Sequence, residues 1–152
     1  MDTKIETYTI DKIDDVISFE KRLREEEDFY CWEIDDAYRS SVEKSFSDER
    51  FAHSVSLLAY YGGIVIGRID ASVIASRFDG SVKAYLDWIC VIKSYRHNGV
   101  AQALLSALCE KLKADGINTL IALTASNDEA QRFYNSVPNS EMMDKGIWIN
   151  IK

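Results

Sequence analysis

An arginine, two residues, a glycine, one residue and an alanine stand where an apolar strand gives way to an amphipathic helix: Arg96-His97-Asn98-Gly99-Val100-Ala101. A helix start presents unpaired N–H groups and the positive end of a dipole. That arrangement suits a phosphate or pyrophosphate. Gly99 lets the backbone come close to such a group, and Ala101 is small for the same reason. Asp87 is the second candidate. It is a carboxylate inside the apolar run Leu86-Asp87-Trp88-Ile89-Cys90-Val91, where a charge needs a partner or a task. Cys90 in the same run has no base paired with it, which speaks against covalent catalysis. Tyr134 lies seven residues past Asn127 and shares a helix face with Ala130. His53 and His97 are far apart, no His/Cys/Asp cluster has ligand spacing, and no metal is expected.

The elements that must position these residues follow from periodicity. Residues 5 to 10 suggest a short first strand. Ile13, Val16, Ile17, Phe19 and Leu23 recur at helical spacing between Asp11 and about Glu27. Tyr38, Val42 and Phe46 mark a second helix over 35–46. Two β-branched and aromatic runs, 54–61 and 64–75, flank Gly62-Gly63 and predict a hairpin. A turn at Phe78-Asp79-Gly80 leads into a strand over 83–92 that looks buried on both faces. After Gly99, residues Ala101, Leu104, Leu105, Leu108 and Leu112 form an apolar stripe that Asp115-Gly116 ends. A strand over 118–124 follows, then a helix over 128–134 with a Ser126/Glu129 capping box, and a terminal strand over 146–151. The order β-α-α-β-β-β-α-β-α-β is that of a mixed α/β or α+β fold, read as one domain over 1–152.

Bulk properties narrow the function. The net charge of −7 argues against a nucleic-acid partner and is compatible with a cationic small substrate. Cys31, Cys90 and Cys109 are an odd number without metal spacing and read as reduced thiols of a cytoplasmic protein. No apolar run is long enough for a membrane span, and the N-terminus lacks an apolar signal region.

Three blocks in order resemble the GNAT superfamily of acyl-CoA-dependent N-acyltransferases. The turn at 96–101 fits that family's Arg/Gln-x-x-Gly-x-Gly/Ala pattern in full. The run Tyr85–Val91 resembles its fourth strand. Asn127-Asp128-Glu129-Ala130-Gln131-Arg132-Phe133-Tyr134 resembles the Asn-x-x-Ala-x-x-Phe/Leu-Tyr block after its fifth strand. Two departures stand out: Lys93 where the family often has proline, and Ser136-Val137-Pro138 where Gly-Phe is common. The resemblance implies a central mixed sheet flanked by about four helices.

It also implies acetyl-CoA as co-substrate. Backbone N–H groups of His97, Asn98, Gly99, Val100 and Ala101, with Arg96, would hold the pyrophosphate. Ile89, Cys90 and Val91 would run beside the pantetheine arm, and Asn127 would bond its amides or simply cap its helix. Tyr134 would protonate the departing thiolate, or else pack as a core tyrosine. Asp87 stands where polyamine-type members carry an acidic residue. It would orient the amine or relay its proton through water, or else be a structural carboxylate. The acidic run Glu25-Glu26-Glu27-Asp28 falls where the family flanks its acceptor, although a solvated helix end is the better reading.

The activity so implied is acetyl transfer to a primary amine by direct attack through a tetrahedral intermediate. The acceptor class is a small cation of polyamine or aminoglycoside type. A protein or peptide acceptor, and a non-catalytic acyl-CoA-binding module, are the alternatives. A nucleotide-binding domain of another fold would need Gly-x-Gly-x-x-Gly or Gly-Lys-Ser/Thr, and the chain has neither. Family members are often homodimers, and the terminal stretch Ile147-Trp148-Ile149 could support one.

Overall fold

The computed structural model describes residues 1–27 and 32–151. Five strands form one sheet in sequence order: β1 (Lys4–Thr7), β2 (Ser54–Tyr61), β3 (Ile64–Ala75), β4 (Val82–Val91) and β5 (Leu120–Ala122). Neighbours are antiparallel except β4 and β5, which run parallel. Four helices cover the sheet: α1 (Ile13–Glu26), α2 (Asp36–Ser45), α3 (Val100–Ala114) and α4 (Asp128–Asn135). This is the mixed sheet with about four helices that the resemblance implies.

The β2–β3 hairpin turns at Gly62 and Gly63, whose φ of 58° and 82° are the left-handed values a tight hairpin turn requires. On one face of the sheet, Leu57, Ala59, Ile69, Leu86 and Val91 meet the α3 stripe of Val100, Leu104, Leu105, Leu108 and Leu112. On the other, Leu58, Val65 and Ile92 meet Ile13, Val16, Phe19 and Leu23 of α1. Each fully buried Leu or Phe contributes about 1.5–3 kcal/mol through apolar area removed from water. Gly67 sets how closely α3 sits on β3. A Cβ there would come within 3.0 Å of Leu104 Cδ1 and 3.1 Å of Val100 Cγ1. A glycine inside a strand therefore lets the first turn of α3 rest directly on the sheet.

Charged groups fasten α1 to the same sheet. Glu20, buried on α1, pairs with Arg24 at 2.7 Å and with Arg68 of β3 at 3.3 Å. Arg68 also grips Asp70 at 2.6 Å, and Ser56 donates to Asp70 at 2.6 Å. Burial opposes the Arg68 charge, but Asp70, Tyr38 and Glu20 outweigh it and raise its pKa. Nothing in the periodicity of α1 announces this network.

Three expectations need correction. Residues 146–151 form no strand. Among the described residues the tail finds no ladder partner, and Ile147, Trp148, Ile149 and Ile151 are exposed. The α4 cap is Asn127 rather than Ser126: Asn127 Oδ1 accepts the Ala130 N–H at 2.9 Å, so no Ser126/Glu129 box forms. Finally, β4 is not buried on both faces at Asp87. Trp88 pairs with Asp70 and Leu86 with Ala71. Asp87 is thus the extra residue of a bulge and turns to solvent. Strands β1 and β5 are also shorter than expected, and Cys31 lies outside the described residues.

Candidate active site

Strand β4 pairs with β5 only through Ala84, Tyr85 and Leu86. Beyond Leu86 the two strands part, and the β5-facing edge of β4 is left without a strand partner among the described residues. A cleft of about 930 Å³ opens there. Trp88, Ile89, Cys90 and Val91 form one wall, the α3 start another, and Asn127, Ala130, Phe133 and Tyr134 of α4 a third.

The turn at the cleft's floor has the geometry of an anion seat. The α3 N-cap is Gly99, with φ of 79°, and His97 takes φ of 62°. A positive φ at a residue other than glycine is strained and clusters at functional sites. No protein atom lies within 4 Å of where a Gly99 Cβ would be, so the backbone angle is what demands glycine here. The first inward hydrogen bond of α3 is Ala103 N–H to Gly99 O, at 2.9 Å. Among the described residues, no backbone N–H of residues 97 to 102 donates to a protein acceptor. These are the orphan donors of a helix start, directed where no protein oxygen meets them.

The other candidates divide. Arg96, His97, Gly99, Val100, Ala101, Ile89, Cys90, Val91, Asn127 and Tyr134 all line the cleft. Asn98 does not: its side-chain amide donates to Tyr95 O at 3.2 Å and Arg96 O at 3.0 Å, so it braces the turn from behind. Asp87 also stays outside the lining, exposed at its bulge one residue before Trp88. Tyr134 is half-buried, edge-on to Phe133 at 5.1 Å. Burial, with Tyr85 nearby, pushes its phenol above the ordinary tyrosine range. It therefore holds its proton throughout neutral pH. Ile89 and Val91 pack toward α3, whereas Cys90 packs toward α1.

Arg96 is bound more firmly than its sequence setting suggests. Its Nε donates to Val91 O at 3.1 Å. Its Nη1 reaches Glu129 at 3.1 Å and its Nη2 reaches Glu27 at 2.6 Å. Burial disfavours the guanidinium charge, yet Glu27 and Glu129 more than offset that and raise its pKa. Two residues of the acidic run, Glu26 and Glu27, are consequently engaged rather than solvated. Glu26 accepts from Ser94 N at 2.9 Å and pairs with Arg22, which ties α1 to the turn before Arg96. Glu27 binds Arg96 itself, Glu25 is exposed, and Asp28 lies outside the described residues. Sequence reasoning missed Glu129, Glu27 as a single residue, and Trp88. The available signal was an arginine entering an apolar cleft, which must find carboxylates somewhere.

Among the described residues no group of three or more His, Cys, Asp or Glu side chains could hold a metal, and no helix is long and apolar enough to cross a membrane.

The acetyltransferase (GNAT) family matches residues 13–137, and the chain belongs to that family. Solved structures with the same fold include an aminoglycoside acetyltransferase from an uncultured soil metagenomic sample, in complex with sisomicin. It is 16% identical with a TM-score of 0.82, over 99% of this chain and 97% of that one. AAC(6')-Iy, in complex with the bisubstrate analog CoA-S-monomethyl-acetylneamine, is 19% identical with a TM-score of 0.76, over 100% and 99% of the two chains. The ribosomal-protein-alanine N-acetyltransferase of Brucella melitensis biovar Abortus 2308 is 14% identical with a TM-score of 0.74, over 99% and 100%. No protein of curated function matches the chain. By family, then, this is an acetyltransferase, and acetyl-CoA is the acyl donor that the family implies.

Proposed function

We propose that this acetyltransferase moves the acetyl group of acetyl-CoA to a primary amine of a small cationic molecule, of polyamine or aminoglycoside type, within a ternary complex. The observation that carries this reading is the run of unpaired backbone donors at 97–102 beside the parted edge of β4. The donor side fits acetyl-CoA: an anion seat at the α3 start, an open strand edge for an extended amide-bearing arm, and one cleft of about 930 Å³ lined by both.

Acetyl-CoA supplies an activated acyl carbon, and the chain supplies placement. Backbone N–H groups on the β5-facing edge of β4, past the end of the β4–β5 pairing, polarise the carbonyl where negative charge develops. Holding amine and thioester together removes much of the entropic barrier. Tyr134, a phenol protonated at neutral pH and pushed further up by burial, gives its proton to the leaving sulfur. Asp87, one residue from the wall at Trp88, orients the incoming amine or passes its proton to water. Direct deprotonation of an ammonium by a carboxylate would cross a gap of about 6 pKa units, roughly 8 kcal/mol, so a water relay is the better route. The acceptor class is supported by the net charge of −7 and by the acidic residues at the end of α1.

The test is a thiol-release screen with acetyl-CoA against polyamines, aminoglycosides, amino acids and short peptides. Turnover with the first two classes supports the proposal, and turnover confined to peptides replaces the acceptor. If acetyl-CoA binds and no amine yields free CoA, the chain is a binding module.

A further inference from the structure

Two arginines line the cleft, and the fold treats them differently. Arg96 is held by carboxylates. Arg132 of α4 makes no hydrogen bond or ion pair with any described residue. Its own helix offers it two partners. Asp128 stands four residues before it and Glu129 three, the spacings at which a carboxylate and an arginine pair on a helix surface. Neither pair forms. Glu129 turns instead to Arg96 at 3.1 Å and to His97 at 3.6 Å. Asp128 is exposed, and its side chain accepts nothing among the described residues. Every other arginine except Arg77, in the turn before β4, holds a carboxylate. An arginine with its fork of donors unspent is a ready receptor for a phosphate.

The position of Arg132 on α4 narrows which phosphate. Asn127, Ala130 and Tyr134 share one face of the helix. Glu129 and Arg132 share another, and the contacts of Glu129 with Arg96 and His97 bring that face against the turn at 96–101. Arg132 lies about 4.5 Å farther along the axis than Glu129. On the α3 side, Gln102 in the first turn also lines the cleft, and its side-chain amide has no partner among the described residues. A second anion therefore has a place beside the proposed diphosphate seat, away from the face that carries Tyr134. CoA brings such an anion. Besides its diphosphate it bears a phosphate monoester on the ribose, with a charge of about −1.5 to −2 at neutral pH.

We infer that Arg132 is the receptor for the ribose 3′-phosphate of CoA. The inference rests on acetyl-CoA being the acyl donor, and it names the residue by which the cleft tells complete CoA from a thioester lacking this phosphate. Glu129 makes the arrangement work by pairing across the cleft with Arg96 and leaving Arg132 unpaired. The monoester can be removed from CoA without touching the diphosphate. Its contribution is therefore separable from that of the backbone donors at 97–102.

The experiment is calorimetric titration of the full chain with CoA and with 3′-dephospho-CoA, repeated on Arg132→Gln. The wild type should bind CoA about tenfold more tightly than the dephospho form, the worth of one charge-assisted contact at an exposed arginine. Arg132→Gln should lose about tenfold in CoA affinity, keep its affinity for 3′-dephospho-CoA, and so bind the two alike. Arg132 is exposed and unpaired, so the variant should melt with the wild type, which thermal unfolding checks. Equal affinity of the wild type for both ligands overturns the inference. So does a preference that survives in Arg132→Gln. Equal losses for both ligands also overturn it, and put Arg132 on the diphosphate instead. Binding of both ligands without a preference leaves the acyl-donor reading intact, whereas binding of neither sinks that reading too. The titration needs no turnover, so its result is independent of the amine screen.

Discussion

Asn127 and Tyr134 mark the two ends of α4, and both face the cleft: Asn127 caps the helix through Ala130 N, and Tyr134 lies in its last turn. The side chain that fixes where the helix begins also fixes, two turns on, where the phenol stands. Tyr134→Phe removes the proton and keeps the ring contact with Phe133. Acetyl transfer should fall about 10²–10⁴-fold, the usual worth of a positioned acid, with CoA affinity unchanged. Because burial raises the phenol's pKa, the acid form is complete below its ordinary value near 10 and is lost only above that. The wild-type rate should therefore show no alkaline decline from this group below about pH 10. Unchanged transfer across the amine panel would remove Tyr134 from the mechanism.

Asp87 is exposed, and its side chain makes no hydrogen bond or ion pair among the described residues. Asp87→Asn should accordingly change stability by less than about 0.5 kcal/mol. It should lower kcat/KM for the amine and alter the pH dependence of rate, while sparing CoA affinity. A pH–rate profile that overlays the wild type assigns Asp87 to the bulge alone.

Much of the fold is legible in the sequence, and the reasons differ by element. Gly62-Gly63 between two β-branched runs defines the hairpin locally, and the spacing of Leu104, Leu105, Leu108 and Leu112 defines α3 locally. The turn at 96–101, with its left-handed Gly99 before α3, is legible because its signal is carried by consecutive residues. The bulge at Asp87 was not, since it is a property of the β3–β4 register rather than of β4. Nor were the partners of Arg96, which come from helices remote in sequence. The α4 cap missed by one residue because Ser126 and Asn127 are both good caps, and the chain entering the helix chooses between them. The tail reads as a strand by composition, but a strand needs a ladder partner and 146–151 has none among the described residues.

Gly99→Ala probes the anion seat through the backbone alone. A Cβ at φ of 79° meets no protein atom, so the penalty is conformational, about 1–2 kcal/mol. If the turn resists, thermal unfolding reports that loss. If it relaxes, the donors turn away from the diphosphate, and CoA affinity should fall about tenfold for 1.4 kcal/mol. Melting temperature and CoA affinity measured on the same sample apportion the two. A variant with wild-type values for both would show that the left-handed residue is not needed.

Arg68→Met tests whether the buried ion network supports the active face or only fills it. The methionine keeps the apolar stem but leaves Glu20 and Asp70 without their shared cation, and Glu20 is only 4% exposed. Removing one partner of a buried ion pair typically costs about 3–5 kcal/mol; here Glu20 keeps Arg24 and Asp70 keeps the Ser56 hydroxyl, so the loss should lie at the low end of that range. Equilibrium urea unfolding should show a loss of that size without a change in slope. A second consequence follows from the register. Arg68 stands opposite Cys90 and Asp70 opposite Trp88, so the network underlies the wall of the cleft that those two residues form. At a temperature where the variant remains folded, the amine KM should rise more than the acetyl-CoA KM, because the proposed anion seat opens α3, which packs on Gly67 on the other face of the sheet. Equal rises in both would mean that the network stabilises the fold without shaping the acceptor side.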